Sequence, residues 1–233
     1  MSIFETLVHW DKNLFLTLNG LHTNWMDHFM WLMSETIVWL PFFLFFIYML
    51  IRNKKSQSLL WFLAFALLIT FTDQIASGVF KPLVERSRPT HDPELANLVH
   101  VVNNYRGGNY GFFSSHAANV FAFAGLSLLL IRNWVYSVCI LIWATLIAYS
   151  RIYLGVHFPL DILVGALFGF LSSIGFYYLY NALTKVKTTK HSGKNRRRKK
   201  TTDGFPENEV IQLNSILAIV LVVCFLTSYY LSW

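Results

Sequence analysis

The chain has 233 residues, 55% hydrophobic and 17% aromatic, with 21 Phe, 11 Tyr and 8 Trp, and its mean hydropathy is +0.46. Only 13% are charged, about half the roughly 25% of soluble domains, which excludes a disordered chain, a disulfide scaffold and a soluble core and leaves an integral membrane protein. The net charge of +7 matches nucleic acid in sign only: the run from Lys185 to Lys200 holds nine cations and no carboxylate, and the rest of the chain is slightly acidic, so nucleic acid is not a partner.

Residues 1–28 carry Ile3, Leu7, Trp10, Leu14, Leu16 and Leu18, interrupted by Glu5, Asp11 and Lys12. Such a segment cannot span a bilayer, and it predicts an amphipathic helix lying at the outer interface. The broken apolar stretch and the missing basic leader also argue against a cleaved signal peptide. A span takes about 20 apolar residues. Residues 29–183 hold five such runs, at 30–51, 58–80, 115–131, 134–150 and 158–183. Only Arg132 and Asn133 separate the third from the fourth, which forces a tight antiparallel pair. Residues 184–212 form a polar, basic loop, and 213–233 a sixth span. The fold class is therefore all-α: a polytopic membrane helix bundle of about six transmembrane helices plus the interfacial helix. Cys139 and Cys224 lie inside apolar runs and read as small fillers, not as a bridge or a metal pair.

Alternating the loops places Arg52, Lys54, Lys55, Arg132 and the nine cations of the long loop on one face. Lys12, Lys81, Arg86, Arg88, Arg106 and Arg151 fall on the other. The more basic face is cytoplasmic by the positive-inside rule, so both termini and the loops at 81–113 and 151–157 face outward. The run at 185–200 reads as a topology signal and a contact for anionic lipids.

Three polar clusters share the outward end. Lys81, Arg86, Arg88 and Pro89 follow the second span; Ser114, Ser115 and His116 precede the third; Arg151, His157 and Asp161 join the fourth to the fifth. Ionisable groups at membrane depth are costly unless they pair or do chemistry. Cations beside two helix N-termini make an electropositive pocket suited to phosphate. A divalent metal held by His116, His157 and Asp161 is the rival reading, but one carboxylate among Lys81, Arg88 and Arg151 is a poor cation cage. Four residues separate His157 from Asp161, so the carboxylate reaches one ring nitrogen while the other faces substrate, as in a nucleophile with its orienting acid.

At these residues the chain resembles the type 2 phosphatidic acid phosphatases, membrane lipid phosphatases with the signatures K-x6-R-P, P-S-G-H and S-R-x5-H-x3-D. The first stands intact as Lys81 to Arg88-Pro89, and the third as Ser150-Arg151, His157 and Asp161. The second reads Phe113-Ser114-Ser115-His116, with Phe for Pro and Ser for Gly; Ser115 either crowds the oxyanion or adds a hydroxyl. The resemblance implies that Lys81, Arg88, Arg151, Ser114 and Ser115 hold phosphate. It implies too that His157 attacks phosphorus to form a phosphohistidine, Asp161 orients it, and His116 protonates the leaving oxygen and then activates water. No cofactor and no metal is implied.

Arg86, Arg106, Asp73 and Glu35 match no signature. Asp73 is read either as a partner for a site cation or as an interfacial side chain, and Glu35 as an interfacial cap. The insert 90–112 is the natural place for head-group selectivity. The layout resembles the bacterial undecaprenyl pyrophosphate phosphatases of this family. That resemblance implies an enzyme of the bacterial plasma membrane that turns undecaprenyl pyrophosphate into undecaprenyl phosphate, with its site facing the periplasm or exterior. A lipid A or phosphatidylglycerol phosphate phosphatase is the alternative. A non-catalytic lipid binder or a conduit is the other class; complete charged signatures argue against the first, and clustering at one leaflet against the second. The charge asymmetry is directly testable. With Cys139 and Cys224 removed, a single cysteine at Asn104 labels from outside with an impermeant maleimide and one at Ser192 does not; the reverse pattern overturns the orientation.

Overall fold

The computed structural model describes residues 3–185 and 205–232, all helical or irregular apart from one isolated antiparallel bridge between Ser87 and Tyr110. In chain order the helices are α1 (Ile3–Asn19), α2 (Asn24–Ser34), α3 (Leu40–Lys54), α4 (Ser58–Gln74), α5 (Lys81–Val84), α6 (Ser115–Ile131), α7 (Trp134–Tyr153), α8 (Pro159–Lys185) and α9 (Glu207–Leu231). A π-helical stretch, Ile75–Phe80, joins α4 to α5 without a break. Among the described residues, four helical runs are long and apolar enough to cross a membrane: Thr36–Val84, Trp134–Tyr153, Pro159–Thr184 and Glu207–Leu231. The apolar α6 is shorter. The first run folds back at Lys55, whose φ is 46°, and the rings of Phe46 and Phe65 meet across the hairpin at 5.3 Å. The chain is an all-α membrane bundle.

Boundaries differ from expectation where polar residues intervene. The apolar run beginning at Met30 is split, because Glu35 adopts an extended backbone (φ −84°, ψ 119°) that ends α2, and Pro41 sits in the first turn of α3, where its missing N–H costs nothing. The last helix begins at Glu207, ahead of the expected 213. Its buried Glu209 pairs with Arg52 (3.2 Å) and accepts from Asn53 (2.6 Å) at the end of α3. Residues 1–28 hold α1, a turn at Gly20 and the start of α2. The basic run, apart from the backbone of Lys185, lies outside the described residues.

The core is aromatic: Phe42, Phe46, Phe65, Phe123 and Trp143 interlock on α3, α4, α6 and α7. Leu44, Leu63, Ile142, Leu167 and Val222 point outward and exposed, the surface a bilayer covers. Arg132, left-handed at φ 54°, ends α6, and Asn133 caps α7 by accepting from the Tyr136 amide (3.0 Å). This is the tight pair expected of a two-residue link.

Helices α6 and α8 approach through small residues. A Cβ on Gly165 would stand 2.5 Å from the Ser114 carbonyl oxygen, one on Gly169 would collide with the Ala118 carbonyl, and one on Gly125 with Ser173. The stripe Gly165, Gly169, Ser173 lets two backbones touch, the device membrane helices use where no hydrophobic effect drives them together. Gly169→Val should part the two helices and cost about 3 kcal/mol or more, seen as loss of a monodisperse, cooperatively melting protein in detergent. Gly175→Ala on the same helix, where a Cβ meets nothing within 4 Å, should be neutral or raise the melting temperature.

Candidate active site

The π-helical stretch precedes Lys81. Its wider turn shifts the register of the short helix α5, and the Lys81 ammonium donates to Ser77 Oγ at 3.2 Å and Ser115 Oγ at 3.3 Å. Ser115, where the signature has Gly, thus supplies a hydroxyl that holds the lysine. Phe113, where it has Pro, is buried against Phe80 and Phe168 at 5.1 Å each.

The insert 90–112 closes onto Arg88. The Arg88 amide donates to the Asn109 carbonyl (3.2 Å) and the Gly111 amide to that of Arg86 (2.8 Å). The Arg88 guanidinium then donates through Nε to the Tyr110 carbonyl (3.1 Å) and through Nη1 to that of Val156 (3.3 Å). Gly107 has φ +69°, and a Cβ there would stand 2.6 Å from Arg88 Nη1, so only glycine fits on both counts. Arg151 is buried; its Nη1 donates to Ser34 Oγ (2.8 Å) and its Nη2 to Tyr105 Oη (3.1 Å), while Nε has no partner among the described residues. Two guanidinium groups and an ammonium are therefore held by neutral oxygens. Their charge is left for an anionic ligand.

The two histidines differ in access. His157, in the turn between α7 and α8, is 1% exposed, and its Nδ1 lies 3.6 Å from Asp161 Oδ2, beyond hydrogen-bond length and without another partner among the described residues. Burial, reinforced by Arg88, Arg151 and Lys81 and opposed by the Gly111 carbonyl, holds its imidazole well below the ordinary range. It is a neutral base. His116, in the first turn of α6, is open. Ser114 caps that helix, its Oγ accepting from the Ala117 amide (3.3 Å), and its own amide donates to the Asp161 carbonyl (3.1 Å). The second and third signatures are thus tied backbone to backbone.

Asp161, expected beside His157, also serves Arg86, a residue that no signature specifies. Its Oδ1 accepts from Arg86 Nη1 (2.8 Å) and its Oδ2 from the Phe158 amide (2.9 Å). The other arm of Arg86 donates to Asp11 Oδ2 on α1 (2.6 Å), and Asp11 Oδ1 accepts from the Leu160 amide (2.9 Å). Both carboxylates are 0% exposed. A carboxylate from the first helix thus satisfies an orphan amide at the start of α8. Eight residues on, Asn19 donates to the Ile152 and Tyr153 carbonyls (3.3 and 2.8 Å) at the end of α7. With Phe15 between them, these residues form a stripe by which α1 clamps the turn carrying His157. In the sequence Asp11 and Arg86 are legible only as charges, one at four-residue spacing from Phe15 and the other inside the first signature. Nothing in their neighbourhood names their partners.

Two cavities meet at His116. One, about 380 Å³, is apolar and runs past Trp39, Phe43, Ile69 and Phe123. The other, about 230 Å³, is bounded by Trp31, Glu35, Tyr105 and Arg151. Asp73 lines the first and accepts from Asn119 Nδ2 at 3.4 Å.

The profile of the PAP2 superfamily matches residues 59–185, more than half the chain and every signature residue from Lys81 to Asp161. This chain belongs to the PAP2 superfamily. A lipid A 4'-phosphatase of Bacteroides thetaiotaomicron is 38% identical over 78% of this chain and 82% of its own. An undecaprenyl-diphosphatase of Sulfolobus acidocaldarius is 30% identical over 67% and 68%. The crystal structure of Aquifex aeolicus LpxE superposes with a TM-score of 0.53 at 26% identity, covering 71% of this chain and 93% of that one. Within this PAP2 site the Arg86 bridge gives a direct test. Arg86→Lys keeps a cation but loses the two-armed link, and should lower kcat by about 10- to 100-fold with KM changed by less than about threefold. Asp11→Asn should do the same more weakly. Both are read by steady-state kinetics on a soluble chromogenic phosphate, beside melting temperatures that report folding.

Proposed function

We propose that this membrane lipid phosphatase of the PAP2 superfamily removes the phosphate monoester of a phosphorylated glycolipid of the lipid A type at the outer face of the membrane. The observation that carries the substrate is the 38% identity to a lipid A 4'-phosphatase over most of both chains. The undecaprenyl pyrophosphate reading, which the layout of spans puts first, becomes the second one, supported by the 30% identical undecaprenyl-diphosphatase.

The geometry supports a two-step displacement. Lys81, Arg88 and Arg151 take the equatorial phosphate oxygens, with Ser114, Ser115 and the amides opening α6 completing the cradle. Neutral His157 attacks phosphorus through the nitrogen turned away from Asp161. An N–P bond forms, the P–O ester bond breaks, and the departing oxygen takes a proton from His116. Asp161 balances the charge that His157 gains; catalytic hydrogen bonds that are long in an unliganded site shorten when substrate binds. His116 then removes a proton from water, whose oxygen displaces His157 and releases inorganic phosphate. The three fixed cations do what a metal does in other phosphoryl-transfer sites. The acyl chains lie along the apolar cavity leading from His116. Helix α1 rests at the outer interface with Ile3, Leu7 and Trp10 toward lipid, and the basic run at 185–200 meets anionic lipids on the cytoplasmic side.

Phosphate release from detergent-solubilised lipid A 4'-phosphate, undecaprenyl pyrophosphate, phosphatidylglycerol phosphate and phosphatidic acid, each with and without EDTA, tests the reading. Lipid A should give the highest kcat/KM, unchanged by EDTA. A higher value on undecaprenyl pyrophosphate restores that substrate, and activity lost in EDTA and regained with Mg²⁺ removes the cationic cradle.

A further inference from the structure

Glu35 sits where α2 gives way to a turn of 3₁₀ helix, and its carboxylate caps neither element. That carboxylate forms no hydrogen bond or ion pair with any described residue. Yet Glu35 lines the 230 Å³ cavity that also contains Arg151 and His116. Arg151 lines the same cavity without forming an ion pair with Glu35, its terminal nitrogens donating to Ser34 and Tyr105. Half-buried and without a partner among the described residues, this carboxylate has its oxygens available to accept hydrogen bonds from a ligand in the cavity. Across the same cavity Trp31 and Tyr105 stand edge to face, centroids 5.7 Å apart at 85°, making an aromatic corner. The cavity is smaller than the roughly 300–1,000 Å³ that holds a drug-sized ligand and is of the size of one sugar ring.

We infer that this cavity is a head-group subsite, in which Glu35 accepts hydrogen bonds from hydroxyls of the pyranose ring that bears the scissile phosphate while Trp31 and Tyr105 line its faces. The inference rests on the glycolipid reading and deepens it. The subsite discriminates by chemistry. A ring with hydroxyls gains a charge-assisted hydrogen bond. A glycerol phosphate carrying only ester-linked chains gains nothing there, and a pyrophosphate brings its second anionic group toward a carboxylate. Glu35 is thus a specificity-determining residue, and His116 lies between the wall that reads the ring and the apolar groove that takes the chains.

The test compares the full-length wild type, Glu35→Ala and Glu35→Gln on lipid A 4'-phosphate and phosphatidic acid. The ratio of the two kcat/KM values should fall by about 10- to 100-fold in Glu35→Ala, the range expected for loss of a hydrogen bond to a charged group. Glu35→Gln, which keeps an acceptor, should fall between. A ratio that moves less than about twofold overturns the subsite. A second measurement separates this inference from the function itself: competition by glucose 6-phosphate and by glycerol 3-phosphate against p-nitrophenyl phosphate. If the wild type spares lipid A but the sugar phosphate inhibits it better, and Glu35→Ala loses that preference, the glycolipid reading falls and the subsite stands. If both phosphates inhibit equally, the subsite falls whatever lipid is hydrolysed.

Discussion

Where α8 presents only hydrogen atoms, at Gly165 and Gly169, its backbone rests against the carbonyls of Ser114 and Ala118. A single methyl group at either position would push the two helices apart at the end where both begin. That end carries His116 on one helix and Asp161 on the other, and the Ser114 amide closes the gap by donating to the Asp161 carbonyl. Because catalytic geometry must hold to within about half an ångström, the reactive groups inherit their spacing from this close backbone contact. The same approach aims two helix N-termini, with their positive dipole ends, at one volume.

Into that volume the chain brings three cations and then declines to neutralise them with acids. Lys81 rests on hydroxyls, Arg88 on carbonyls, and Arg151 on Ser34 and Tyr105. Asp161 stands behind His157 and Asp11 behind Arg86. Neutral oxygens orient a guanidinium without cancelling its field, so the site is preorganised for an anion. His157 is sealed among these cations, while His116 opens onto the two cavities. Burial and exposure thus give two chemically identical side chains different surroundings.

Spacing within a signature makes Lys81, Arg88, Ser114, Ser115, His116, Arg151, His157 and Asp161 legible, because each lies at a helix end within a few residues of another. The membrane class and the tight α6–α7 pair follow from composition and from a link of only Arg132 and Asn133. What periodicity does not show is contact between distant segments. Asp11 reads as a solvated charge that interrupts an amphipathic helix, yet it is fully buried beneath the site. Arg86 reads as a spare cation, yet it joins α1 to α8. Glu35 reads as an interfacial cap, and it caps nothing. In each case the partner lies on a distant element, or in a cavity, and one-dimensional charge patterns carry no record of that. The split at Glu35 is invisible to hydropathy, which continues across it while the helical backbone does not.

The bridge from Asp11 through Arg86 to Asp161 also has a meaning in time. Its members belong to α1, to the loop after the second span, and to the fifth span. Until α8 has entered the membrane, Arg86 lacks one of its two acids, Leu160 has no acceptor for its amide, and the turn carrying His157 is not clamped. The turn carrying His157 is therefore held in place only once α8 has joined the bundle. Helix α1 works in this sense as a latch closed by α8, tying the shape of the His157 turn to the arrival of that helix.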